Sequence, residues 1–78
     1  MIDVTVYYTD GCPYCIKIKK FLDDNKISFI DVNLEKDKFA VNKLIEKLGV
    51  IRLPIIQIGD KYVTGYNIKK IRELLNLE

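Results

Sequence analysis

A chain of 78 residues, 49% hydrophobic and 31% charged, has the composition of one small domain spanning residues 1–78, with a modest core, and not that of a disordered tail. Its net charge of +2 is too small to argue for nucleic acid or an anionic membrane surface, and no apolar run approaches the roughly 20 residues that cross a bilayer. With no histidine, Ser-His-Asp catalysis, Cys-His catalysis and histidine-ligated metal sites are excluded.

The first predicted element is a strand from Asp3 to Tyr8. It is rich in β-branched and aromatic residues, and alternation puts Ile2, Val4, Val6 and Tyr8 on one face. Thr9-Asp10-Gly11 turns the chain. A helix is predicted from Pro13 to about Asn25, because proline suits the first helical position, where its missing N–H would have no partner anyway. Cys15, Ile18, Phe21 and Leu22 form its inward stripe, and Lys17, Lys19, Lys20, Asp23 and Asp24 fall largely outside it. Asn25-Lys26 ends this helix, and Ser28 to Asn33 reads as a second strand. A second helix runs roughly from Asp37 to Leu48, with Val41, Leu44, Ile45 and Leu48 inward and Gly49 where a C-terminal cap belongs.

Pro54 to Ile58 is the third strand and Lys61 to Thr64 the fourth, and the tight Gly59-Asp60 turn between them makes the pair antiparallel. Gly65-Tyr66 leads into a last helix from about Asn67, its expected N-cap, to Leu75, with Ile68, Ile71 and Leu75 inward. The order is β-α-β-α-β-β-α. The first two strands, joined through a helix, are expected to be parallel with a right-handed crossover. The simplest packing is an α/β fold in which three helices cover a four-stranded mixed sheet.

The chemistry concentrates in Cys12-Pro13-Tyr14-Cys15, which follows a strand and opens a helix. The first turn of a helix carries unpaired N–H groups and the positive end of the macrodipole. A thiolate at Cys12 is stabilised there, which predicts a pKa below the free-cysteine value of about 8.5. Cys15 lies one turn further on and faces the core. Cys12 is therefore expected to attack a substrate disulfide, and Cys15 to resolve the mixed disulfide. A purely structural bridge is a poor alternative, because the loop it closes is too short to stabilise much. Zinc needs about four ligands and this pair supplies two, so no metal site is expected within one chain. An iron–sulfur cluster bridged between two chains is the alternative of another class. The pair fits a reducing, cytoplasmic compartment better than an oxidising one, and Met1-Ile2-Asp3-Val4-Thr5 lacks the basic and apolar regions of a secretory signal.

The Cys-Pro-Tyr-Cys stretch resembles glutaredoxins, and the element order is similar to the thioredoxin-like fold. The resemblance implies a monomeric enzyme with no bound cofactor, Cys12 as nucleophile and Cys15 as resolving thiol. It implies a reductant, glutathione, and substrates that are protein disulfides and glutathione mixed disulfides. It also implies a cis peptide between Leu53 and Pro54, which leaves the backbone of Leu53 open for an extended substrate beside Cys12. Tyr14 is placed beside the nucleophile, and Lys38, with Lys36, stands where glutaredoxins often hold a glutathione carboxylate.

Three departures bear on the electron donor. Tyr66 follows Gly65 where many glutaredoxins have a second glycine, and an aromatic ring there fills space in which a ligand approaches the backbone. Thr9 replaces a frequent basic residue, and the neighbouring Asp10 opposes a thiolate. Arg52-Leu53-Pro54 replaces Thr-Val-Pro. Leu53-Pro54 combined with Gly65-Tyr66 resembles the glutaredoxin-like hydrogen donors of ribonucleotide reductase. That likeness implies thioredoxin reductase as donor, ribonucleotide reductase as partner and Tyr66 in the reductase contact. The tetrapeptide favours glutathione and Gly65-Tyr66 favours the reductase. Lying closest to the chemistry, the tetrapeptide tips the expectation to glutathione.

Overall fold

Residues 3–77 are described by the computed structural model, in which the elements follow the expected order. They are β1 (Val4–Tyr8), α1 (Pro13–Asp24), β2 (Ile30–Asn33), α2 (Lys38–Leu48), β3 (Ile55–Ile58), β4 (Lys61–Thr64) and α3 (Ile68–Leu75). The sheet order is β2-β1-β3-β4. β1 runs parallel to β2 and antiparallel to β3, and β3 and β4 form the hairpin. This mixed sheet with three helices is the thioredoxin-like fold expected above.

Side-chain alternation divides the core between the two faces of the sheet. Val4, Val6, Ile56, Ile58 and Val63 point to one face and bury Ile18 and Leu22 of α1 and Ile71 of α3. Tyr7 and Ile55 point to the other, against Ala40 and Leu44 of α2 and against Leu34. β1 is therefore covered on both sides, and its near-continuous apolar run reflects this. Alternation alone assigned only its even-numbered face. Ile2, counted with that face, lies outside the described residues.

Several boundaries and one inward residue differ from expectation. β2 begins at Ile30 and not at Ser28: its pairing with β1 starts at Thr5↔Ile30, and Phe29 packs against the core instead. β1 begins at Val4 and β3 at Ile55, one residue later than read from the sequence in each case. Asp37, read as the start of its helix, stands outside α2 as its cap and accepts from the Ala40 N–H, whereas Asn67 caps α3 as expected and accepts from the Lys70 N–H. Ile45, expected inward, is exposed. α2 turns Ala40 and Leu44 to the sheet, and Val41 and Leu48 flank them, which leaves Ile45 on the outer side.

The topology gathers four chain segments at one end of the sheet. Tyr8, at the C-terminal end of β1, pairs with Asn33 at the C-terminal end of β2. Tyr7 pairs with Ile55 at the start of β3, which in turn pairs with Thr64 at the end of β4. The turn before α1, the approach to α2, the Leu53-Pro54 segment and the entry to α3 all converge there.

Candidate active site

Gly11 makes the turn from β1 into α1 with φ of 78°, a left-handed conformation that suits glycine. Cys12 is the N-cap of α1, and Pro13 occupies the first helical position. Where serine or aspartate would cap with oxygen, the Cys12 Sγ does so with sulfur: the Cys15 N–H donates to it at 3.2 Å. Cys12 and Cys15 are joined in a disulfide, with their Cα atoms 5.3 Å apart. Their surroundings differ as expected. Cys15 is 1% exposed in the core, and Cys12 is half-buried at the helix mouth.

The Leu53–Pro54 peptide is cis. Continuing the β1–β3 register from Tyr7↔Ile55 sets Pro54 level with Tyr8 and Leu53 level with Thr9. Gly65, at φ of 76°, donates its N–H to the Pro54 carbonyl at 2.8 Å and to that of Arg52 at 3.3 Å, tying this segment to the entry of α3. Leu53 is half-buried, and among the described residues no hydrogen bond reaches its backbone N–H or C=O. Tyr66 stacks on Tyr14, with ring centroids 5.0 Å apart and planes 28° apart. The Lys17 ammonium lies 5.3 Å from the Tyr14 ring, so Lys17, Tyr14 and Tyr66 form one exposed stack beside the disulfide. Lys38 opens α2 at the same end of the sheet. No hydrogen bond, ion pair or ring contact links it to the disulfide among the described residues.

Two further groups reach the site without a signal in the sequence. The Asp10 N–H donates to Glu35 Oε2 at 2.6 Å, the Glu35 N–H donates to Asn33 Oδ1 at 2.9 Å, and Asn33 Nδ2 reaches Asp10 Oδ1 at 3.5 Å. This chain of contacts fixes the turn before Cys12 to the end of β2. Lys19, read as part of an outer charged face, instead inserts its ammonium between the Tyr8 ring, at 3.3 Å from the centroid, and Asp31 Oδ2, at 3.0 Å. Apart from the local Glu35–Asn33 bond, these contacts join residues well apart in the sequence, and neither spacing nor residue type announces them. Among the described residues, no group of three or more His, Cys, Asp or Glu side chains is placed to hold a metal ion.

A family model described as Glutaredoxin matches residues 4–63, a span that includes both cysteines and the cis-proline segment. The chain belongs to the glutaredoxin family. It is 32% identical over 75 residues to a glutaredoxin-like 8.6 kDa protein of a rubredoxin operon in Clostridium pasteurianum, covering 92% of this chain and 96% of that one. It is 31% identical over 71 residues to the glutaredoxin-like protein NrdH of Lactococcus lactis, covering 91% and 97%. Among solved structures, a point variant of the thioredoxin-like protein BC3987 superposes with a TM-score of 0.90 at 32% identity, covering 97% of each chain. This glutaredoxin-family protein is thus a thiol-disulfide oxidoreductase with a CxxC pair. No helix among its described residues is long and apolar enough to cross a membrane.

Proposed function

We propose that the protein reduces protein disulfides in a two-thiol cycle and is itself re-reduced by a thioredoxin reductase-type flavoprotein. In the reduced protein, the Cys12 thiolate attacks one sulfur of the substrate disulfide. A Cys12–substrate disulfide forms, and the other substrate sulfur leaves as a thiolate that takes up a proton. Cys15, having lost its proton, then attacks Cys12 Sγ. The intramolecular disulfide forms, and the second substrate thiolate departs. Two electrons pass from the protein dithiol to the substrate, and the reductase returns them. The N-cap position of Cys12, with the Cys15 N–H aimed at its sulfur, supports its role as the ionised attacker. The burial of Cys15 supports a thiol kept for internal use. The unpartnered backbone of Leu53, beside Pro54, is the edge to which an extended substrate segment would add.

The choice of donor rests on one observation, the Tyr14–Tyr66 stack. Tyr66 takes the place of the glycine that admits glutathione to the backbone in the glutaredoxins this chain resembles. A ring held there by Tyr14 narrows that approach and offers an aromatic surface to a protein partner. Ribonucleotide reductase, the partner implied by the likeness to glutaredoxin-like hydrogen donors, is the substrate protein this reading favours. Cytoplasmic residence follows from the need for a reducing supply. The Cys-Pro-Tyr-Cys tetrapeptide supports glutathione as the second reading, with Lys38 holding a carboxylate. A paired assay decides between them: NADPH consumption is followed with a protein disulfide as substrate, once with thioredoxin reductase and once with glutathione and its reductase. Turnover is expected in the first arm, with little in the second, and Tyr66→Gly is expected to raise the second. Turnover with glutathione alone would reverse the assignment.

A further inference from the structure

Lys19 stands four residues after Cys15 on α1, so the two side chains are neighbours on one helix face, their Cβ atoms about 5–6 Å apart. A recess of about 130 Å³ opens beside the disulfide, and Cys12, Cys15 and Lys19 all line it, with Tyr8, Asp10 and Ile16. The lysine is not a free surface charge. Its side chain is 24% exposed, and its ammonium is held between the Tyr8 ring and the Asp31 carboxylate. A lysine so fixed has lost the freedom that makes exterior lysines interchangeable.

We propose that Lys19 is a positioning residue for the second half-reaction: its fixed ammonium favours the thiolate of buried Cys15 when that sulfur attacks the mixed disulfide. The inference rests on the two-thiol reading, in which Cys15 is the resolving thiol. The physical need is plain. A core thiol at 1% exposure pays for ionisation in lost hydration, and this opposes the very step it must perform. The titratable groups around the recess are Tyr8 from β1, Asp10 from the turn, Cys12 and Cys15 at the head of α1, and Lys19 further along it, with Asp31 of β2 joined to Lys19. Asp10, Asp31 and the Glu35 carboxylate on the Asp10 N–H carry the opposing charges; the Asp10 Oδ1 is turned toward Asn33 Nδ2, and the Asp31 carboxylate is paired with the Lys19 ammonium itself. Lys19 is the one cation in this set. Asp31 anchors it from the β2 side and the Tyr8 ring from β1, so its reach is fixed by the sheet. The step itself is unchanged: Cys15 gives its proton to solvent, the Cys15–Cys12 bond forms, and the substrate thiolate leaves.

A chromogenic aryl disulfide separates the two sulfurs in time. The first coloured thiolate is released when Cys12 attacks, the second when Cys15 closes the disulfide. Stopped-flow traces across pH are recorded for the reduced wild-type protein, Lys19→Gln and Lys19→Arg, with Lys19→Met as a second neutral variant in case Lys19→Gln loses the fold. In the neutral variants, the midpoint of the second phase is expected to move up by about one pH unit, which slows that phase about tenfold below the midpoint. The first phase keeps its profile, and Lys19→Arg restores the second. An unmoved second phase in a folded neutral variant, or an equal shift in both phases, overturns the role of Lys19. A wild-type trace with no second phase, and full protein-disulfide turnover by Cys15→Ser, would instead overturn the two-thiol reading beneath it.

Discussion

Tyr7 sits in the core under α2, and its hydroxyl donates to Gln57 Oε1 on β3 at 2.8 Å. Burial, first, and then the neighbouring Tyr62 and Asp37 raise its pKa above the ordinary tyrosine value of 10.0. The folded protein therefore holds this proton more tightly than the unfolded chain does. The stability linked to it is fully present below the unfolded pKa and is lost as pH rises through the raised folded value. Tyr7→Phe is expected to cost about 0.5–1.5 kcal/mol at neutral pH through the lost hydrogen bond. It is also expected to flatten the decline in stability above about pH 10. Urea unfolding of both proteins across that range checks this, and parallel alkaline declines would mean that Tyr7 does not carry the linkage.

The helices illustrate how local rules and tertiary context divide the work. Each ends in a left-handed residue, at Lys26, Gly49 and Asn76, with φ of 57°, 84° and 62°. After α1, the Ile27 N–H donates to the Leu22 carbonyl and the Lys26 N–H to that of Asp23, and both apolar partners join the same core cluster. Lysine in this conformation carries a steric cost of about 1–2 kcal/mol that glycine avoids. The greater freedom of unfolded glycine, and the lost cation at the helix C-terminus, offset part of the gain. Lys26→Gly is therefore expected to stabilise the protein by about 0.5 kcal/mol, raising the thermal midpoint by a few degrees. A lowered midpoint would show that the lysine side chain contributes more than its backbone costs. Pro13 as the first helical residue and the caps Gly49 and Asn67 were legible because they follow from backbone chemistry that any reader of the sequence can apply. Ser28-Phe29 and Ile45 were not, because Phe29 is drawn into the core cluster of the folded sheet, and the inward face of α2 is set by where Leu34 and Tyr7 lie.

At the scale of the whole molecule, the sheet order β2-β1-β3-β4 is what turns separate segments into a site. The cysteines were legible from residue type, spacing and position between a strand and a helix. The cis Leu53–Pro54 bond was legible only through family resemblance, since proline alone does not specify it. The Tyr14–Tyr66 stack, the Glu35 bond to the Asp10 N–H and the seat of Lys19 were hidden, because each joins residues that only the fold brings together. The proposed cycle turns on one sulfur, that of Cys12 at the mouth of α1, as the attacking thiolate of the reduced protein. The most direct test is the rate of alkylation of the reduced protein across pH, with the modified residue assigned by mass spectrometry. The account predicts that Cys12 is modified first, with a midpoint well below the free-cysteine value of about 8.5, while Cys15 is protected. Modification of Cys12 with the profile of a free cysteine, or faster modification of Cys15, would contradict it.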